Sequence, residues 1–402
     1  MSTRRSGAVV ALLTLLLAGP ARGGASLTAL TGFGTNPGSL DAFTYVPASA
    51  GGGAPLVVVL HGCTQTASSM LGTGIVELAD ERGLVLLLPQ QKSANNPVTC
   101  FNWGGEYGDP ANLVRGQGEN ESIRQMVDAV QAKHGTDPAR TYVIGFSAGG
   151  GLASILAATW PERFAGVAVM SGLPYRCATD LNGSYACMQG SVGKTAAQWG
   201  DLVRAAHAGY GGPYPRIALF HGAADGTVSP KNFVELVKQW GNVHGLPATP
   251  ATTDSIGEVE HAVYGEELVT FKVAGMGHAV AVGADPDHPC GTAGAFIESR
   301  AFCAMYRALE FFGEAAPATP PPDGGTTAAD GGAIVNPARD CGTSEAARTP
   351  GTAPDGSGES ACAASLGGGC SAAGAAGAGS GVPLAVVALL AGARRRRAAR
   401  TR

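Results

Sequence analysis

Three side chains spread along the 402-residue chain have the types needed to turn an alcohol into a nucleophile. Ser147 stands in Gly145-Phe146-Ser147-Ala148-Gly149, a G-x-S-x-G pattern. Asp225 follows His221-Gly222-Ala223-Ala224, and His278 closes Gly275-Met276-Gly277-His278. A serine hydroxyl attacks poorly until a base takes its proton, and the base needs an acid to orient it. The other histidines compete for the base role. His261 and His288 read as surface or loop imidazoles, and His221 precedes the acid in the wrong position. Acyl chemistry also needs donors for a developing oxyanion, and losing one costs roughly 100- to 1000-fold in rate. The backbone amide of Ala148, just after the serine, is one candidate. The loop His61-Gly62-Cys63-Thr64-Gln65 offers a second through the amide of Cys63.

Elements must hold these groups together. With 61 glycines in the chain, G-x-S-x-G arises easily by chance, so its weight comes from its setting. Thr141-Tyr-Val-Ile-Gly145 reads as a strand and Gly149 to Trp160 as a helix, which is the strand–turn–helix that presents a serine above a sheet. Five further apolar runs read as strands: Leu56 to Leu60, Leu84 to Leu88, Gly166 to Met170, Arg216 to Phe220 and Leu268 to Val273. Short apolar runs without alternation indicate strands covered on both faces. Ser122 to His134 places Ile123, Met126, Val127 and Val130 on one helical face, with Ser122 as its expected cap. Phe233 to Val243 is also read as a helix. Alternating strands and helices predict an α/β fold with a mostly parallel, doubly wound sheet in a single domain over residues 26–313. Asp225 and His278 then each fall just beyond a strand, in the chain order Ser, Asp, His of the α/β-hydrolases.

Composition bounds the rest. None of the 12 Phe, 9 Tyr and 4 Trp lies after Phe312. Residues 314–370, rich in Gly, Ala, Pro and Thr, read as a linker unable to bury a core. Arg4 and Arg5 precede an apolar run from Ala8 to Ala18 and then Gly19-Pro20, the layout of a secretory signal, here assigned to 1–25. Residues 371–393 form a weak apolar span, and 394–402 an Arg-rich tail suited to the cytoplasmic side. Nine of the 27 basic residues lie in the two ends, leaving 18 against 31 acidic groups over 26–393. That is no phosphate-binding footprint, which argues against a nucleic-acid partner. The nine cysteines suggest an even disulfide framework plus one special residue, Cys370. Proximity along the chain suggests Cys177–Cys187, Cys290–Cys303 and Cys341–Cys362, leaving Cys63 with Cys100, one of 105 connectivities for eight cysteines. No C-x-x-C or H-E-x-x-H occurs, so no metal and no cofactor are expected.

The strings HGCTQT (His61 to Thr66), LLPQQ (Leu87 to Gln91), CFNW (Cys100 to Trp103), RGQGENESIRQMV (Arg115 to Val127), GFSAGG (Gly145 to Gly150), QWGNVHG (Gln239 to Gly245) and PCGTAGAF (Pro289 to Phe296) together resemble the polyhydroxybutyrate depolymerase family of esterases. That family includes feruloyl and acetylxylan esterase-like members. The resemblance runs from about Asn36 to Phe312. It implies an α/β-hydrolase fold, Ser147, Asp225 and His278 as a triad, and oxyanion donors at Cys63 and Ala148. It also implies a Cys63–Cys100 bridge. Gln65 and Trp103, within two of the strings, are the substrate-binding candidates. One departure is Val280, which stands where the family commonly carries Trp; another is the lack of a recognisable polymer-adsorption module after the catalytic domain. The expectation is an exported, monomeric serine esterase acting on a polyester oligomer or, alternatively, an acylated polysaccharide. A catalytically silent, surface-displayed binding module is the rival from another class. Gly369-Cys370, the weak span and the Arg cluster resemble the C-terminal sorting tag of myxobacterial secreted proteins, which implies processing at Cys370 and attachment at the cell surface.

Overall fold

A computed structural model describes residues 26–105 and 110–314. The expected signal, the apolar span, the Arg-rich tail, Cys341, Cys362, Cys370 and nearly all of the linker lie outside the described residues.

The chain order is β1 (Thr28–Ala29), β2 (Asp41–Tyr45), β3 (Leu56–Leu60), α1 (Ile75–Arg82), β4 (Val85–Gln90), α2 (Gly118–His134), β5 (Thr141–Phe146), α3 (Ala148–Thr159), β6 (Gly166–Met170) and α4 (Leu181–Met188). It continues with α5 (Ala196–Ala206), β7 (Arg216–Gly222), α6 (Lys231–Val243), β8 (Thr252–Ile256), β9 (Val259–Val263), β10 (Leu268–Val273), β11 (Val280–Val282), β12 (Ile297–Ser299) and α7 (Ala304–Phe312). Ten strands form one sheet in the order β1-β2-β4-β3-β5-β6-β7-β10-β9-β8. The six from β4 to β10 run parallel, while β1, β2, β8 and β9 extend the edges antiparallel. The expected mostly parallel α/β sheet is therefore present, and all six apolar runs are strands within it.

Both faces of the central strands are buried, which is why these runs lack alternation. Leu56, Val58 and Leu60 pack into a core with Ile123 and Met126 of α2, Leu152 of α3, Trp199 of α5 and Trp240 of α6. Val57 and Val59 face the opposite core, with Ile75 and Leu78 of α1 and Met305 and Leu309 of α7. Burying one such aliphatic side chain contributes about 1.5–3 kcal/mol.

Two expectations are corrected. Ser122 does not cap α2, which starts four residues earlier. Its hydroxyl instead accepts from the Gly38 amide at 2.8 Å. The first-turn amides of Glu119 and Asn120 are taken by Oδ1 of Asn112, a side chain from the preceding turn. The folded body also reaches one residue further than 313. Glu314 is buried: its carboxylate binds Arg140 and the Tyr142 hydroxyl, so it belongs to the core rather than to a linker.

Candidate active site

Ser147 sits between β5 and α3 with φ 56 and ψ −118, a left-handed backbone that a non-glycine residue adopts at a cost of about 1–3 kcal/mol. The turn is held because the Ser147 amide donates to the Met170 carbonyl at 2.9 Å, continuing the β5–β6 ladder. It is sharp because glycine follows. A Cβ on Gly149 would lie 2.5 Å from the Leu60 carbonyl oxygen and 2.6 Å from that of His61. The start of α3 therefore lies directly against the loop leaving β3.

The three expected side chains converge. Nε2 of His278 lies 2.8 Å from the Ser147 Oγ, and its Nδ1 lies 2.7 Å from Asp225 Oδ2. Asp225 Oδ1 accepts from the Thr227 and Val228 amides at 2.9 Å each. Burial by itself would raise the Asp225 pKa. The hydrogen bond from His278, the neighbouring imidazoles and the Val228 amide outweigh it, and the carboxyl is held below its ordinary value. An ionised, acceptor-only Asp225 fixes the proton of His278 on Nδ1 and leaves the Nε2 lone pair for the serine hydroxyl. This arrangement can take a proton from an alcohol and return it to a leaving group.

Two backbone amides are the candidate oxyanion donors. The first amides of a helix have no partner within it, and α3 presents the Ala148 amide beside Ser147. The Cys63 amide has no hydrogen-bond partner among the described residues. Its loop is fixed by the Cys63–Cys100 disulfide and by the bond from the Thr64 amide to the Val98 carbonyl at 2.7 Å. Cys177–Cys187 and Cys290–Cys303 are also bonded.

His61 has a part that the sequence did not assign. It is fully buried, and burial pushes its pKa down to about 4, so the ring is neutral near pH 7. Its Nε2 accepts from the Gln91 amide at 3.1 Å, so Nδ1 carries the proton and donates to the Gly62 carbonyl at 2.7 Å. In a trans peptide the carbonyl and the following N–H point in opposite directions. Holding the Gly62 carbonyl toward His61 therefore turns the Cys63 N–H away from it. The available signal was a histidine directly before Gly62 at a strand end. His221 was also set aside, yet it lies beside the acid: buried, it donates from Nε2 to the Val228 carbonyl at 2.9 Å, with Asp225 Oδ2 at 3.5 Å.

The structure does not bring Gln65 and Trp103 to an open surface. Gln65 is buried, its Oε1 accepting from the Gly62 amide at 2.8 Å, so it braces the loop. Trp103 packs on α3, where a Cβ on Gly151 would lie 2.7 Å from its own. Val280 is fully buried in β11, while an aromatic near His278 is supplied from elsewhere, by Phe296. Among the described residues no group of three or more His, Cys, Asp or Glu side chains could hold a metal ion.

Comparison with known proteins gives a consistent picture. The family model described as Esterase PHB depolymerase matches residues 40–263. The poly(3-hydroxyalkanoate) depolymerase C of Paucimonas lemoignei is 45% identical over 296 residues, covering 72% of this chain and 70% of that protein. The feruloyl esterase B of Neurospora crassa is 36% identical over 265 residues, covering 63% of this chain and 88% of that one. Among solved structures, an acetyl xylan esterase from Aspergillus awamori superposes with a TM-score of 0.62 at 29% identity, covering 72% of this chain and all of that one.

Proposed function

Since the chain belongs to the Esterase PHB depolymerase family and is a carboxylic ester hydrolase of α/β-hydrolase fold, we propose that Ser147, His278 and Asp225 carry out its hydrolysis on a poly- or oligo(3-hydroxyalkanoate). The Ser147 Oγ attacks the ester carbonyl carbon as its proton passes to His278 Nε2. The carbonyl oxygen takes up negative charge facing the Cys63 and Ala148 amides. His278 then gives the proton to the departing alkoxide, which leaves as an alcohol, and an acyl-enzyme remains. Water, deprotonated by the same nitrogen, attacks the acyl carbon. The bond to Oγ breaks, the proton returns to Oγ, and a carboxylic acid is released.

The observation that carries this reading is the unbroken chain Ser147 Oγ–His278–Asp225, with links of 2.8 and 2.7 Å. The choice of a polyester rests on the 45% identity to a poly(3-hydroxyalkanoate) depolymerase against 36% to a feruloyl esterase. We further infer that residues 26–314 form the catalytic domain, that 1–25 direct export, and that the C-terminal segment attaches the protein at the cell surface.

A fluorophosphonate probe should label the wild type and not Ser147→Ala, and the variant should lose at least about 10⁴-fold in kcat. Wild-type turnover of 3-hydroxybutyrate oligomers should exceed that of methyl ferulate and acetylated xylan. Labelling that survives the substitution would remove the triad, and a preference for the ferulate or the xylan would replace the polyester.

A further inference from the structure

Between Cys290 and β12 the chain runs Gly291-Thr292-Ala293-Gly294-Ala295-Phe296, and Phe296 has φ 59. In this left-handed region Cβ crowds the following carbonyl, and for a bulky residue it is an outlier. Such a conformation persists only where its surroundings over-determine it. Here the Phe296 carbonyl accepts from the Val280 amide at 2.9 Å, and Gly294 and Ile297 exchange backbone bonds at 2.9 and 3.1 Å. The Cys290–Cys303 disulfide closes the base of the loop.

These restraints turn the ring onto the base. Phe296 meets His278 edge to face, with centroids 6.3 Å apart and planes at 79°. Phe146, fully buried beneath them, lies 4.9 Å from His278 and 6.4 Å from Phe296. The adjoining Ala295 carbonyl accepts from the side chain of Gln65, whose other end holds the Gly62 amide. Phe296 thus touches the imidazole by its ring, while its neighbour Ala295 ties the same segment, through Gln65, to the loop bearing the Cys63 amide. Residues 292–295 are exposed and Ile297 enters the core, while Phe296 itself stays half-buried. Phe296 packs partly against the core that holds Phe146 and leaves part of its ring uncovered, with its centroid 6.3 Å from that of His278.

We propose that Phe296 is a specificity-determining residue that packs against the alcohol portion of the ester, favouring alcohols with an apolar chain or ring. In acylation His278 Nε2 hands its proton to the alkoxide oxygen, which must come within about 3 Å of that nitrogen. The carbon skeleton beyond that oxygen then passes the groups flanking the imidazole. Of the two aromatic rings there, Phe146 is covered and Phe296 is not. The inference rests on the triad reading above.

Acylation involves the alcohol and deacylation does not, and this separates the proposal from a merely structural role. Methyl and benzyl butyrate share an acyl group. For Phe296→Ala and Phe296→Leu, kcat/KM on the benzyl ester should fall about tenfold or more in the alanine variant and less in the leucine variant, roughly 1.4 kcal/mol per decade. The methyl ester should change by about twofold or less, and the single-turnover deacylation rate should match the wild type. An equal fall on both esters with slowed deacylation would mean that Phe296 only seats His278, and no fall on either would mean that it touches no substrate. Either result overturns the inference. Fluorophosphonate labelling of Ser147 in the same variants keeps the two readings distinct: if labelling persists without alcohol discrimination, this inference fails alone, whereas a wild type that is not labelled takes the triad with it.

Discussion

His61 is a residue whose chemistry shows in stability before it shows in rate. Its pKa of about 4 in the folded protein lies below the 6.5 of an unperturbed imidazole, because burial disfavours the cation. Below pH 6.5 the unfolded chain takes a proton that the folded chain refuses, so stability is lost as pH falls from 6.5 towards 4, and the loss levels off below that. Between pH 7 and 5 the loss from this residue is about 2 kcal/mol. His221 and His244 are also depressed by burial and act in the same direction, whereas Asp225, held low, loses its contribution only below the ordinary carboxylate pKa. Urea unfolding at pH 7 and pH 5 should therefore show a smaller drop in His61→Gln than in the wild type, although the variant starts from lower stability; equal drops would mean that His61 is protonated in the fold. Ser147, Asp225 and His278 could be read from the sequence because each follows an apolar run that had to be a strand. His61 and His221 also follow such runs, but they act through Gly62 and Val228 backbone atoms, and no residue type or spacing announces a carbonyl that needs a donor.

At the scale of elements, the loop between β3 and α1 is held by contacts distant in sequence. The Cys63 amide, proposed as its second oxyanion donor, rests on a disulfide to Cys100, on Val98 through the Thr64 amide, and on His61 through Gly62. Replacing both Cys63 and Cys100 by serine keeps the Cys63-position amide and frees the loop. A native bridge of this kind contributes about 2–4 kcal/mol. The oxyanion exists only in the transition state, so a misplaced donor lowers kcat while leaving KM nearly unchanged. Steady-state kinetics below the melting range should show kcat down on the order of tenfold. A lowered melting temperature with wild-type kcat would reduce the bridge to a fold staple. The parallel strands were legible because burial on both faces leaves an uninterrupted apolar run. The antiparallel edges were not: Thr252, Thr253, Asp254 and Ser255 of β8 are exposed, and their pairing with β9 has no hydrophobic signature. The start of α2 was missed for a similar reason, since its capping side chain, Asn112, sits several residues before the helix and not at its first position.

For the whole molecule, the question is where the folded body ends. Phe312 is the last aromatic residue and closes α7, stacking on Tyr142 with centroids 4.9 Å apart. Composition alone would stop there, yet Glu314 adds a buried anchor. Its amide donates to the Leu309 carbonyl at 2.9 Å, and its carboxylate takes Arg140 Nε at 2.9 Å and the Tyr142 hydroxyl at 2.7 Å. Its carbonyl accepts from Arg82, whose side chain is almost wholly buried on α1. The burial of Tyr142 and its bond to Glu314 raise the phenol pKa, and the same carboxylate raises that of Arg140. Arg140 is itself largely exposed and can turn to water, so the cost of losing Glu314 falls on the buried Tyr142 hydroxyl and on Arg82, at about 1–3 kcal/mol for each buried polar group left without its partner. A chain ending at residue 316 should therefore match the full chain in melting temperature and in turnover of a soluble ester. A chain ending at Phe312 should melt several degrees lower, because it strips the partner from Arg140, Tyr142 and Arg82 together. Calorimetry on the two truncations decides the matter: equal melting temperatures would return the boundary to Phe312, and a loss of soluble-ester turnover at 316 would mean that the catalytic body needs residues beyond it.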